Sequence, residues 1–419
     1  MGQTLVKKPR NNFIEFLRFT FAINFVLIHV MQVFPLAYLG FTASAALNQY
    51  IFVSSLDIIM PFITFAGYFL MAGFKRKQAQ DEAMGLTPGQ RAGGYLKERI
   101  ISMAPYFVLA MVMGMVANGI WRGYNSFSDW LNFFLASIGE ILGLQLTGIG
   151  MGNEFVGVWG SVKSPIRILS NSPLWFISGI WVCGYAVYYF LCRNEKKFLD
   201  GFLPIFALLF YGVCWASNTN PIWQTYLCFG DVYTLGERVT AWGVNASLIN
   251  MFVGLGLGAE MWRVVDKLKN VEFTKGARLL FTGLVLVTGY VCFARSWWSA
   301  NRSLFLNYCN IGWGAAYLHS LIFCVLVLLQ KDYITTCKLL NSKIWSYPGR
   351  LAMYVYMFHF PIVLFTGLAM GMKGINGVVD APIDLGNGVI LGGITPETTS
   401  KLWVMYVVVL VVCILFSIL

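Results

Sequence analysis

Apolar runs of about twenty residues, separated by short basic segments, dominate this sequence and restrict what it can become. No water is available in hydrocarbon to satisfy a backbone N–H or C=O, so a spanning run of that length has to be helical. Ten runs qualify, near 13–34, 51–74, 100–120, 173–192, 202–217, 241–262, 278–297, 304–330, 350–371 and 401–419. An eleventh, near 131–148, carries Glu140 and several glycines and reads as an interfacial or re-entrant helix. With 58% of its residues hydrophobic and 12% charged, the chain lies well outside the range of soluble domains.

Loop charges orient the spans. One set of alternate loops holds 21 of the 30 Lys and Arg residues and the other holds 8, with Arg18 the last. Cytoplasmic loops carry the excess of Lys and Arg, so both termini are expected in the cytoplasm. A full crossing by 131–148 would switch every later loop and erase the asymmetry. The expected fold is an all-α integral membrane protein, a single domain over 1–419 with ten transmembrane helices, in the cell membrane.

Other classes fall away on composition. The net charge of +11 is scattered between apolar runs, which argues against nucleic acid. The nine cysteines show no CxxC spacing and lie mostly in apolar runs, so neither a disulfide framework nor a metal site is expected. The N-terminal run is too long and too polar for a cleaved signal, with Glu15, Arg18, Asn24 and His29 inside it. The tryptophans lean towards the outer span ends, as an interfacial belt or as stacking platforms for a sugar.

Arg18 and His29 are the anomaly. Eleven residues separate them by roughly 16 Å along a helix and leave the side chains about 20° apart, on one face. Ionisable residues within spans face a bundle interior or a cavity and mark sites. Asp57, near the outer end of the second span, stands at the depth of His29, where a carboxylate would orient the imidazole as a general base. Arg18 stands near the cytoplasmic level of Arg99, Lys75, Arg76 and Lys77. Such a ring suits a phosphorylated ligand, although plain membrane topology also explains the run at 75–77. His359 lies mid-to-inner in the ninth span, after Tyr354 and Tyr356 and before Pro361, whose missing N–H frees a carbonyl. His319 reads as a core histidine. Intramembrane Arg and His also mark permeation paths, so a transporter or flippase for a polar or anionic solute is the alternative class.

Five segments carry a resemblance. Arg18, ten residues and then His29 resembles the first-span signature of the acyltransferase-3 family, membrane O-acyltransferases of bacterial cell-surface glycans. "DIIMPFITFAGYFLMAG" (57–73), "YLKERIISMAPYF" (95–107), "SPLWFISGIWVCGY" (172–185) and "YPGRLAMYVYMFHFPI" (347–362) are similar to later family segments, in the family's order. Two positions depart: Ser102 replaces the second Arg of an RxxR motif, leaving Lys97 to supply the second cation, and Met353 replaces a Ser.

The resemblance implies a cytoplasmic acyl-CoA donor, usually acetyl-CoA, and a carbohydrate or lipid-linked glycan acceptor outside. His29 would be the base, oriented by Asp57, with Arg18, Arg99, Lys97 and Arg76 on the CoA side. Tyr68, Tyr356 or His359 would meet the oxyanion or shape the path. Trp175 and Tyr68 are the candidate acceptor contacts. An acyl-histidine intermediate fits the same residues. Oligomeric state and acceptor identity stay open.

Overall fold

The computed structural model describes residues 12–33, 55–121, 123–143, 171–216, 226–234, 237–268, 270–293, 342–369, 383–384, 390–391 and 396–418, with 322, 324 and 327. Helices dominate them: α1 (Asn12–Val33), α2 (Ser55–Ala83), α3 (Pro88–Trp121), α4 (Phe127–Ala136), α5 (Ile138–Ile141), α6 (Trp175–Lys196), α7 (Leu203–Ala216), α8 (Ala246–Leu268), α9 (Lys275–Phe293), α10 (Ser346–Ala369) and α11 (Pro396–Ile418). Nine of the ten expected spans have a helix at their position. The span near 304–330, with His319, lies outside the described residues apart from three positions. Four helical stretches among the described residues are long and apolar enough to cross a membrane: Pro88–Ile120, Trp175–Cys214, Ser247–Leu268 and Lys343–Ala369.

Two antiparallel hairpins were not anticipated. β1 (Tyr226–Thr234) pairs with β2 (Glu237–Asn245), from Tyr226 opposite Asn245 to Thr234 opposite Glu237, and β3 (Ile383–Asp384) pairs with β4 (Ile390–Leu391). The sixth span was expected from 241, yet α8 starts at Ala246. Residues 240–245 alternate β-branched or aromatic residues with others (Thr240, Trp242, Val244), a period-2 pattern that suits a strand.

The Trp175–Cys214 stretch is two crossings. Asn194 leaves the helical region (φ −167, ψ 91), and a π-helical turn, Lys197–Phe202, follows. On α8, Leu248 accepts from Cys183 and Phe252 packs against Phe190, so α6 and α8 run parallel. Asp200 pairs with Arg263 and Tyr211 donates to Asn250, so the chain after Asn194 runs antiparallel to α8. The direction therefore reverses at Asn194.

An ion pair tests the status of 131–148. The Lys75 ammonium, at the end of α2's apolar part, lies 2.6 Å from the Glu195 carboxylate. Among the described helices between the two residues, α3 and α6 carry the chain away from that level and back. α4 is ten residues long, about 15 Å, half of what a bilayer core needs. It begins at Ser126 with a capping box to Asp129 and breaks at Ser137, before the four residues of α5. The segment is not a full span as far as it is described, to residue 143.

The bundle is tightest where glycines face backbone. A Cβ on Gly67 would lie 2.1 Å from the Leu255 carbonyl oxygen, and one on Gly258 would lie 2.1 Å from that of Thr64. Gly254 and Gly258 form the small-xxx-small spacing that lets helix backbones meet in lipid, where packing rather than water exclusion holds helices together. At the other side of the bundle, Gly349 of α10 admits Glu15 of α1, whose Cα would lie 2.8 Å from an added Cβ. α1 and α10 run parallel, as the pairs Phe25–Tyr356 and His29–His359 require.

Pro361 has no N–H, so within α10 the Met357 carbonyl lacks its usual partner. The Asn171 side chain supplies one at 3.1 Å and also donates to the Ala110 carbonyl of α3 at 3.2 Å. Two residues on, the Pro173 carbonyl accepts from the Tyr356 hydroxyl. The short entry into α6 thus fastens the middle of α10 in place.

Two outcomes follow for stability. Gly258→Val is expected to lower the apparent melting temperature in detergent, since overpacking of this kind costs about 1–3 kcal/mol. Gly73→Ala, with nothing within 4 Å of an added Cβ, is expected not to lower it. Asn171→Ala strands the buried Met357 carbonyl, which Pro361 already deprives of its helix donor, at about 1–3 kcal/mol, so it too should melt early.

Candidate functional site

The polar side chains of α1 lie at successive levels. Arg18 pairs with Glu15 at 3.2 Å, one turn earlier on the same helix. Thr20 donates to the Phe16 carbonyl and Asn24 to that of Thr20, each at 2.9 Å. His29 Nδ1 stands 2.8 Å from the Phe25 carbonyl. Beside it, His359 of α10 is fully buried, with its Nδ1 at 2.6 Å from the Tyr356 carbonyl and its Nε2 at 2.9 Å from His29 Nδ1.

These contacts fix the protons by elimination. A carbonyl only accepts, so His359 carries its proton on Nδ1 and leaves Nε2 as an acceptor. By the same logic His29 carries its proton on Nδ1, shared between the Phe25 carbonyl and His359 Nε2. His29 Nε2 then bears the lone pair. The chain Tyr356 carbonyl, His359, His29 orders two neutral imidazoles and leaves one basic nitrogen, with no hydrogen-bond partner among the described residues.

This geometry brings a second imidazole to His29 that the sequence did not pair with it. His359 takes His29 Nδ1 as its partner, because parallel packing of α1 and α10 brings the ninth-span histidine level with His29 rather than nearer the cytoplasm. The Asp57 side chain lies outside the described residues. Tyr356 is reassigned: its hydroxyl proton is committed to the Pro173 carbonyl, so it has none to give an oxyanion.

A cavity of about 360 Å³ runs below the histidine pair. Glu15, Arg18, Tyr95 and Arg99 line it at one level, and Phe25, Phe62, Phe176 and Tyr356 line it at the other. The Arg99 guanidinium sits 5.4 Å from the centre of the Tyr95 ring, which holds it towards α6. Arg18 and Arg99 thus share one cavity, as their common level in the sequence suggested. His29 and His359 stand one helical turn beyond Phe25 and Tyr356 and do not line it.

Other expected site residues lie elsewhere. Arg76 and Lys97 are exposed and take no part in the cavity wall. The run at 75–77 is drawn into ion pairs, Lys75 with Glu195 and Lys77 with Glu98. Trp175 is buried against Phe176, and Tyr68 packs edge-on to Phe69, both behind the lining residues. No group of three metal-ligating side chains occurs among the described residues.

Sequence reasoning missed Glu15 and Asn171. Glu15 was noted only as evidence against a signal peptide, although its spacing of three from Arg18 signals an in-helix pair. Asn171 carried no signal, because its partners lie 61 and 186 residues away.

No curated protein and no solved structure matches the chain. A family model described as an acyltransferase domain matches residues 11–419. Matched over nearly its whole length, the chain belongs to the acyltransferase-3 family of membrane acyltransferases.

Proposed function

We propose that the protein transfers an acyl group, acetyl in the simplest case, from cytoplasmic acyl-CoA to a hydroxyl of a carbohydrate or lipid-linked glycan across the membrane. One observation carries this reading: His29 Nε2 is left as an oriented, unprotonated nitrogen one helical turn beyond the end of a cavity lined by Arg18 and Arg99. The site belongs to the inner membrane of a ten-span fold with both termini in the cytoplasm.

The donor would enter from the arginine end. Guanidinium groups bind phosphate oxygens bidentately, and the two here would hold the CoA phosphates or line their path. Glu15 keeps the Arg18 fork aimed across the cavity. The apolar remainder of the wall suits a pantetheine arm that presents its thioester towards the histidines.

His29 Nε2 takes the proton of the acceptor hydroxyl as the oxygen attacks the thioester carbonyl. The C–O bond forms, the C–S bond breaks, and the departing CoA sulfur takes the proton from His29. Between those events His29 is an imidazolium. Its Nδ1–H bond to His359 spreads that charge onto a second ring, itself tied to the Tyr356 carbonyl. Asp57 can add a carboxylate to the outer side of the same site.

General-base catalysis is worth about 10²–10⁴-fold, so His29→Ala should lose at least that in thiol release from acetyl-CoA while still inserting. A near-normal rate in that variant would overturn the mechanism. His359→Ala should cost about 10–100-fold in kcat, as one buried hydrogen bond to the base is lost, with the donor KM unchanged. His359→Gln, whose side-chain oxygen can accept from His29, should recover part of it. Arg18→Gln or Arg99→Gln should instead raise the donor KM about 10–100-fold.

A further inference from the structure

The histidine end of the cavity is closed by aromatic rings. Phe25 of α1, Phe62 of α2, Phe176 of α6 and Tyr356 of α10 form a closed circuit. Centroid distances are 5.8 Å for Phe25–Phe62, 6.1 Å for Phe62–Phe176, 5.8 Å for Phe176–Tyr356 and 5.3 Å for Tyr356–Phe25. Every side falls within aromatic contact distance, so no gap opens between neighbouring rings. All four line the cavity, while His29 and His359 stack on the far side of Phe25 and Tyr356.

The four rings are not held equally. Tyr356 is pinned by its hydroxyl to Pro173 and carries the carbonyl that binds His359. Phe25 carries the carbonyl that binds His29, and its ring is 4% exposed; Phe176 is 5% exposed. Phe62 alone is half-buried, and it follows Pro61, where the α2 hydrogen-bond ladder lacks a donor. Three rings therefore belong to the frame that positions the histidines, and the fourth stands on a weakened helix.

We propose that this circuit selects the acyl group by size, with Phe62 as the ring that swings aside to let a short acyl thioester reach His29. The inference rests on the acyl-transfer reading above and adds what sets the donor. Moving Phe62 leaves Phe25, Phe176 and Tyr356 in place, so the opening is about one ring wide. A short acyl chain passes, and each further methylene meets the three fixed rings.

The test measures thiol release from acetyl-, butyryl- and hexanoyl-CoA by membranes of the expressing cell, above the level of His29→Ala membranes. The full-length protein is expected to favour acetyl-CoA in kcat/KM. A single methylene in an apolar site is commonly worth about 10–200-fold, so Phe62→Ala should raise the hexanoyl-to-acetyl ratio at least about tenfold. Phe62→Leu, a milder change that keeps an apolar side chain, should raise it in the same direction, and Phe62→Trp should lower turnover of every donor. Phe69→Ala, on the same cavity wall but outside the circuit, should leave the ratio where it was. An unchanged ratio in both Phe62→Ala and Phe62→Leu would overturn the selector, as would a full-length protein indifferent to chain length. Either result would leave the acyl-transfer reading standing. No release above the His29→Ala level from any donor would instead remove the acyl-transfer reading, and the selector with it.

Discussion

A polar group placed in hydrocarbon has to find its partner inside the protein, and that requirement shapes the centre of this molecule. Pro361 removes a donor from α10, and the Met357 carbonyl it releases is taken by Asn171. Asn171 brings Pro173 with it, Pro173 takes the Tyr356 hydroxyl, and the Tyr356 carbonyl orients His359. The proton on His29 is fixed at the end of that series. A missing N–H and a basic nitrogen are thus joined through five residues, and removal of an intermediate would leave a buried group unsatisfied, at a cost water cannot relieve.

The helical architecture was legible because its cause is local. Length and apolarity define a span without reference to its neighbours, and nine of ten expected positions hold a helix. What stayed hidden was whatever depends on partners far along the chain. The Arg18–His29 face was visible as an eleven-residue spacing. The identity of the group behind His29 was not, because it needed the parallel packing of α1 against α10 that Gly349 permits. Depth along the membrane, inferred from distance to the nearest loop, put His359 nearer the cytoplasm than its contact with His29 shows. Residues 241–245 of the second strand were absorbed into a span because Ala241, Trp242, Gly243 and Val244 suit either reading.

Charge at the ends of the bundle divides between two uses. Lys75, Lys77 and Arg263 join segments that are distant in sequence by pairing with Glu195, Glu98 and Asp200. Exposed pairs of this kind are individually worth little, and their value here is in registering helices against one another. Arg18 and Arg99 instead face a cavity. A plain count of basic residues mixes the two.

The self-contained bonding of α1 has a consequence for how the protein is made. The histidine pair joins residues 330 apart in the chain. At about 5–20 residues per second, the ribosome delivers the second partner roughly 15–65 s after the first. During that interval α1 has to reside in the bilayer without α10. It can do so because Arg18, Thr20, Asn24 and His29 each have a partner three or four residues back on the same helix. The first span arrives with its polar groups already answered, and waits as a stable half-site for the helix that completes it.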